Sequence, residues 1–138
     1  MQHEDTLITD IDQRRLRSYL RDAAWSGELD TRRLASLHGR LRRAQIVGPK
    51  DVPANVVTMN SLVVLRNVES GNRLTCRLTY PSEARQSPRN VCVSRPLGMA
   101  MLGKRVGQVI RWPSGTRDRR MRIQQVLYQP EAAGELHL

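Results

Sequence analysis

The stretch "VGPKDVPANVV", Val47 to Val57, separates two hydrophobic periods that no single element can hold. Before it, apolar residues recur every three to four positions; after it, they alternate. The first period keeps one helical face apolar, and the second keeps one strand face apolar. The chain must therefore fold as helices first and a sheet second. Gly48 and Pro49 mark the stop, since glycine accepts the left-handed end of a helix and proline cannot continue one. The expected division is an N-terminal helical hairpin over residues 1–48 and a β domain over residues 49–138.

Within the first part, Thr9 is placed to cap a helix, with Asp12 in the first turn opposing the positive helix end. Leu16, Tyr19, Leu20 and Ala23 follow as one stripe before "WSGELD" breaks the pattern. Asp30 is the expected cap of a second helix, with Leu29 and Leu34 as a hydrophobic staple. Leu34, Leu37, Leu41 and Ala44 form its seam. Two stripes joined by a short turn face each other, which predicts an antiparallel hairpin of coiled-coil type. Arms of about 15 residues give it a length of roughly 22 Å.

In the second part, "SLVVLR", "RLTCRLTY", "VCVS" and "QVIRW" read as strands, with turns at "VESGN" and "PSGT". The last strand alternates through Met121 and Ile123, then slips phase to Val126 and Tyr128, which predicts a bulge at Gln124–Gln125. Between the third and fourth strands lies "SRPLGMAMLGKRVGQVI". Pro96 suits a first helical turn, Leu97, Ala100 and Met101 form one apolar face, and Gly103 can close the helix left-handed. The expected fold class is α+β: a helical hairpin, then a mainly antiparallel five-stranded domain with one short helix. Ser94, Arg95 and Pro96 are expected to form an exposed lead-in where a partner docks.

The formal charge is +10, and it is uneven. Residues 1–48 carry nine arginines against seven acids, whereas residues 49–138 carry fourteen Lys and Arg against six. A polyanion or an acidic protein surface suits this excess, and so does a genome-wide bias toward arginine. Arg73 and Arg77 share a face of one strand, and Arg120 and Arg122 share one of another. If those strands are neighbours they form a basic stripe, joined by Lys104 and Arg105. Weak nucleic-acid contact through that face is the alternative function. Cys76 and Cys92 form no CxxC and sit in apolar runs, so buried free thiols are expected. His3, His38 and His137 do not cluster, no nucleophile–base pair is evident, and no phosphate loop is present. No catalytic residue, metal or cofactor is expected. No apolar run approaches the ~18 residues of a membrane span, and "MQHEDTLITD" is unlike a signal peptide. A soluble, cytoplasmic monomer is the expectation.

"SRPLGMAMLGKRVGQVI" also resembles the S-P-L-G-x-A-L-L-G-x-x-x-G-D signature of the C-terminal domain of the Gre transcript-cleavage factors. With "VVTMNSLVVLRN", "QPEAAGELHL" and the short hairpin, the chain resembles the Rnk-type regulators of nucleoside diphosphate kinase within that family. The resemblance implies an FKBP-like domain that docks on bacterial RNA polymerase at the rim of its secondary channel and competes there with Gre factors. The family's docking loop falls here on Ser94, Arg95 and Pro96, with Leu97 beside them. Two residues depart from the pattern: Arg95 stands where a small residue is expected, and Gln108 replaces the final aspartate. In Gre factors, acidic residues at the tip of a long coiled coil hold a metal at the polymerase active centre. Glu28 and Asp30 lie at the corresponding turn here, but arms of roughly 22 Å are about half the required reach. Their expected role is helix capping, without stimulation of transcript cleavage. A prolyl-isomerase role is not expected either, because the chain has no phenylalanine. Its β domain supplies only Tyr80, Trp112 and Tyr128 as aromatics.

Overall fold

Thr9 caps the first helix as its position predicts, its Oγ1 accepting the Asp12 N–H at 3.1 Å. The computed structural model of the chain describes residues 6–136. Helix α1 spans Asp10–Ser26 and ends at Gly27, whose φ of 75° needs no Cβ. Asp30 caps α2, Thr31–Arg43, with Oδ1 accepting the Arg33 N–H at 2.8 Å. The arms are thus roughly 25 and 20 Å long.

Leu16, Leu20 and Leu37 are fully buried, and Leu41 nearly so. Two helices alone cannot dry their own seam on every side; a third surface must close it. That surface is the β domain, whose Val63, Leu65, Leu78, Met101 and Ile123 share one continuous core with the helix stripes. Each fully buried leucine contributes about 1.5–3 kcal/mol to this union.

Two short strands were not expected. Strand β1, Leu7–Thr9, and strand β2, Gln45–Val47, pair in parallel across the base of the hairpin, Ile8 opposite Ile46. Further hydrogen bonds tie this base down: Leu7 N–H donates to Gly103 O at 3.0 Å, and Gln45 N–H to Thr6 O at 2.9 Å. Gly103 has φ +79°, and a Cβ there would meet Thr6 Cγ2 at 2.6 Å. Glycine is required at that position by conformation and by packing together.

The main sheet contains β3 (Leu62–Asn67), β4 (Arg73–Thr79), β5 (Asn90–Cys92), β6 (Val109–Ser114) and β7 (Arg117–Tyr128). Their order is β5-β4-β3-β7-β6, antiparallel except for β4 with β5. Helix α3, Pro96–Met101, lies between β5 and β6 in sequence, as expected. The phase slip in β7 is a bulge: Leu65 pairs Ile123 and Val64 pairs Gln125, leaving Gln124 out of register. A second irregularity skips Leu127. Leu74 shares a strand face with buried Cys76 and Leu78 by the period of two, yet it is 42% exposed near the end of the β3–β4 hairpin. Cys76 and Cys92 are buried free thiols. A final short helix, α4, spans Pro130–Ala133.

Candidate functional site

The lead-in to α3 is only partly exposed. Ser94 is buried, Arg95 is exposed, and Pro96 and Leu97 are half-buried. This corrects the expectation of an open Ser94–Arg95–Pro96 segment. Ser94 Oγ lies 3.1 Å from Cys92 Sγ, and the Tyr19 hydroxyl of α1 is turned toward it without a hydrogen-bonding geometry. Burial raises the Tyr19 pKa, and the Ser94 hydroxyl partly offsets the rise. The segment is held rigid because α3 rests on β5: a Cβ on Gly98 would stand 2.1 Å from Cys92 O. Arg95 is therefore the one residue of this lead-in presented freely to solvent.

The hairpin tip comes to the same place. Glu28 and Arg33 both lie close enough to Tyr19 to influence its titration, and Asp30 and Pro96 line one cleft. Sequence periodicity could not show this, because a stripe states that something covers it but not what. The tip acids have structural duties: Asp30 caps α2, and the Glu28 N–H closes the turn on Ala23 O. Among the described residues no three His, Cys, Asp or Glu side chains gather as a metal site requires. His38 is exposed, while His3 and His137 lie outside the described residues.

The basic residues divide into separate groups. Strands β4 and β7 are not neighbours, because β3 runs between them. Arg66 of β3 fills the gap, pairing with Arg73 on one side and Arg122 on the other. The stripe thus exists through a residue that sequence reasoning left out. Arg120 pairs with Arg111 at its edge. Arg77 stands apart, its Nη1 donating to Asn60 O at 2.8 Å and its guanidinium 5.5 Å from the Tyr128 ring centre. Arg105 and Lys104 belong to the loop after α3. There the Arg105 N–H donates to Gln108 Oε1 at 2.8 Å, so Gln108 closes the turn through its side-chain oxygen.

The motifs outside α3 meet in space. Thr58 of "VVTMNS" donates from Oγ1 to Glu131 Oε1 of "QPEAAG" at 2.7 Å. Gln129 Nε2 donates to the carbonyls of Pro53 and Val56, both at 2.8 Å. The Met59 N–H donates to Asp12 Oδ2 at 3.1 Å, bringing α1 into the same knot. Burial pushes the Asp12 carboxyl up to about 7, against the opposing pull of that backbone bond.

The model of transcription elongation factor GreA/GreB, C-term, matches residues 52–128. The chain belongs to the GreA/GreB C-terminal family. Over 137 residues it is 36% identical to the regulator of nucleoside diphosphate kinase of Escherichia coli K12, with 98% of each chain covered. A solved GreA/GreB elongation factor from Nitrosomonas europaea matches at TM-score 0.72 and 32% identity, over 89% of this chain and 98% of that one. The transcription inhibitor protein Gfh1 of Thermus thermophilus is 34% identical over 93 residues, which cover 64% of this chain and 58% of that protein. The E. coli relative is thus matched end to end, hairpin included, whereas Gfh1 is matched over part of its length. Within the GreA/GreB family match, the "PLGMAMLG" helix and the "VVTMNS" turn are both scaffold, held by the backbone contacts above. Arg95 is the exposed residue beside them. No helix is long and apolar enough to cross a membrane among the described residues.

Proposed function

We propose that this chain is a non-catalytic transcription regulator of the cytoplasm that docks on bacterial RNA polymerase at the secondary-channel rim and excludes Gre factors. The β domain, residues 49–138, carries the docking loop Ser94–Leu97, and the hairpin, residues 1–48, occupies the space beside it. The observation that carries this reading is the place of the tip. Glu28 and Asp30 lie next to the docking loop rather than far beyond it, so a docked molecule keeps its acids near the rim. In this reading Arg95 makes the polymerase contact, Pro96 and Leu97 shape it, and buried Ser94 sets the backbone. The protein acts as a monomer.

The test is displacement of a Gre factor from core polymerase, read as loss of Gre-stimulated transcript cleavage. Wild type inhibits, does not itself stimulate cleavage, and loses inhibition when Arg95→Glu is introduced. Failure to displace at any salt concentration overturns the reading. A second reading, nucleic-acid binding, is favoured by the Arg73–Arg66–Arg122 row across three strands. Phosphate-driven binding falls steeply with salt, which separates the two in the same titration.

A further inference from the structure

A cleft of about 720 Å³ runs between α2 on one side and α3 with β6 on the other. That volume lies within the range of small-ligand sites. Its two ends differ in chemistry. Toward the base of the hairpin stand Arg40, Arg43 and Lys104, gathered where Gly103 packs on Thr6 and Gln45 bonds to Thr6. Along the other wall, Pro96, Met99 and Trp112 are apolar. Trp112 is half-buried and seated on the hydrophobic core, which fixes its ring at the cleft.

The basic end is built against its own electrostatics. Arg40 is half-buried, and burial together with neighbouring Arg43 lowers its pKa. No carboxylate of the described residues forms an ion pair with Arg40 or Arg43. Gly39 helps bring the two together. A glycine inside a helix costs about 1 kcal/mol relative to alanine, yet here it leaves room for Arg43, whose Nη1 comes within 3.1 Å of where a Cβ would stand. A half-buried guanidinium beside a second, exposed one, with no ion-pair partner for either among the described residues, is stabilised by an anion of several charges. A flat aromatic ring across the cleft adds a stacking surface for a base.

We propose that this cleft binds a nucleoside polyphosphate, with its phosphates on Arg40, Arg43 and Lys104 and its base against Trp112. The site needs the hairpin and the β domain together; Arg66, Arg73 and Arg122 do not line it, and Arg111 is where the outer arginine row reaches its rim. Binding does not depend on polymerase docking, so it is tested on the isolated full-length chain.

The experiment is calorimetric titration with ATP, GTP, inorganic tripolyphosphate and a single-stranded 12-mer RNA. Trp112 fluorescence is followed in parallel in a Trp25→Phe background, where Trp112 is the sole tryptophan. ATP or GTP binds saturably and quenches Trp112. The Arg40→Gln/Arg43→Gln pair weakens binding by about tenfold or more, while Arg66→Gln/Arg73→Gln on the sheet leaves it unchanged. Trp112→Leu weakens nucleotide and leaves tripolyphosphate unaffected. Thermal melts of each variant confirm that it is folded; replacing Arg40 removes a like-charge contact, so that variant is expected to melt no lower than wild type. Three results each overturn the proposal: no saturable binding at millimolar nucleotide, tripolyphosphate binding as tightly as ATP with no effect of Trp112→Leu, or RNA binding that free nucleotide does not displace.

Discussion

The carbonyl oxygen of Cys92 occupies the place where a β-carbon on Gly98 would stand, 2.1 Å away. Helix α3 can lie this close to β5 only because that carbon is missing, and the angle of the Arg95 lead-in follows from it.

Gly98→Ala is accordingly expected to destabilise the fold by about 3 kcal/mol or more, as forced overpacking against backbone does. Gly39→Ala is the contrast. Its neighbour is the movable end of Arg43, so a gain in helix propensity of up to about 1 kcal/mol should keep its melting temperature at or above wild type. Thermal denaturation of both variants checks the pair.

Asp12 ties stability to pH. Its folded pKa of about 7 lies above the free value of 3.8, so between these values the folded state holds a proton that the unfolded state has released. The favourable contribution is complete below pH ~4 and is lost as pH rises through 7, on the order of 2–4 kcal/mol. Asp12→Asn keeps an acceptor for the Met59 N–H and removes the titration. Urea denaturation at pH 5 and pH 8 should show the variant gaining on wild type at the higher pH.

Cys76 is packed 4.0 Å from Met101 Sδ, and burial pushes its thiol up to about 11. In a Cys92→Ser background, Cys76 should react with a thiol reagent only through unfolding. Its labelling rate should rise with urea in step with loss of helical signal. Rapid native labelling would contradict the packing.

The tip acids separate by role. Asp30→Ala removes the α2 cap and should cost about 1 kcal/mol. Glu28→Ala, whose turn contact comes from its backbone, should stay within about 0.5 kcal/mol of wild type. Chemical denaturation measures both.

Much of this fold was open to sequence reasoning where one residue type has one local use. Thr9 and Asp30 cap helices, Pro96 starts one, and the Gln124 bulge shows as a broken alternation because strand side chains keep a period of two. What stayed hidden depends on neighbours distant in sequence. Strands β1 and β2 are three residues each, too short for any period to register. Buried Ser94 has Tyr19 as a neighbour, seventy-five positions away. The arginine row required strand order, and only strand order reveals Arg66 between Arg73 and Arg122. The cleft escaped for the same reason: Arg40 and Trp112 each belong to an unremarkable local pattern.

The parallel pairing of β1 with β2 has a mechanical consequence. Both chain segments that carry the hairpin are clamped at its base, and its apolar seam is sealed into the sheet, so no swivel lies between the tip and the Arg95 lead-in. Load on one end is carried to the other without slack. Under the proposed docking, the molecule enters the channel rim as a fixed wedge, and an obstacle at the tip acts directly as force on Arg95.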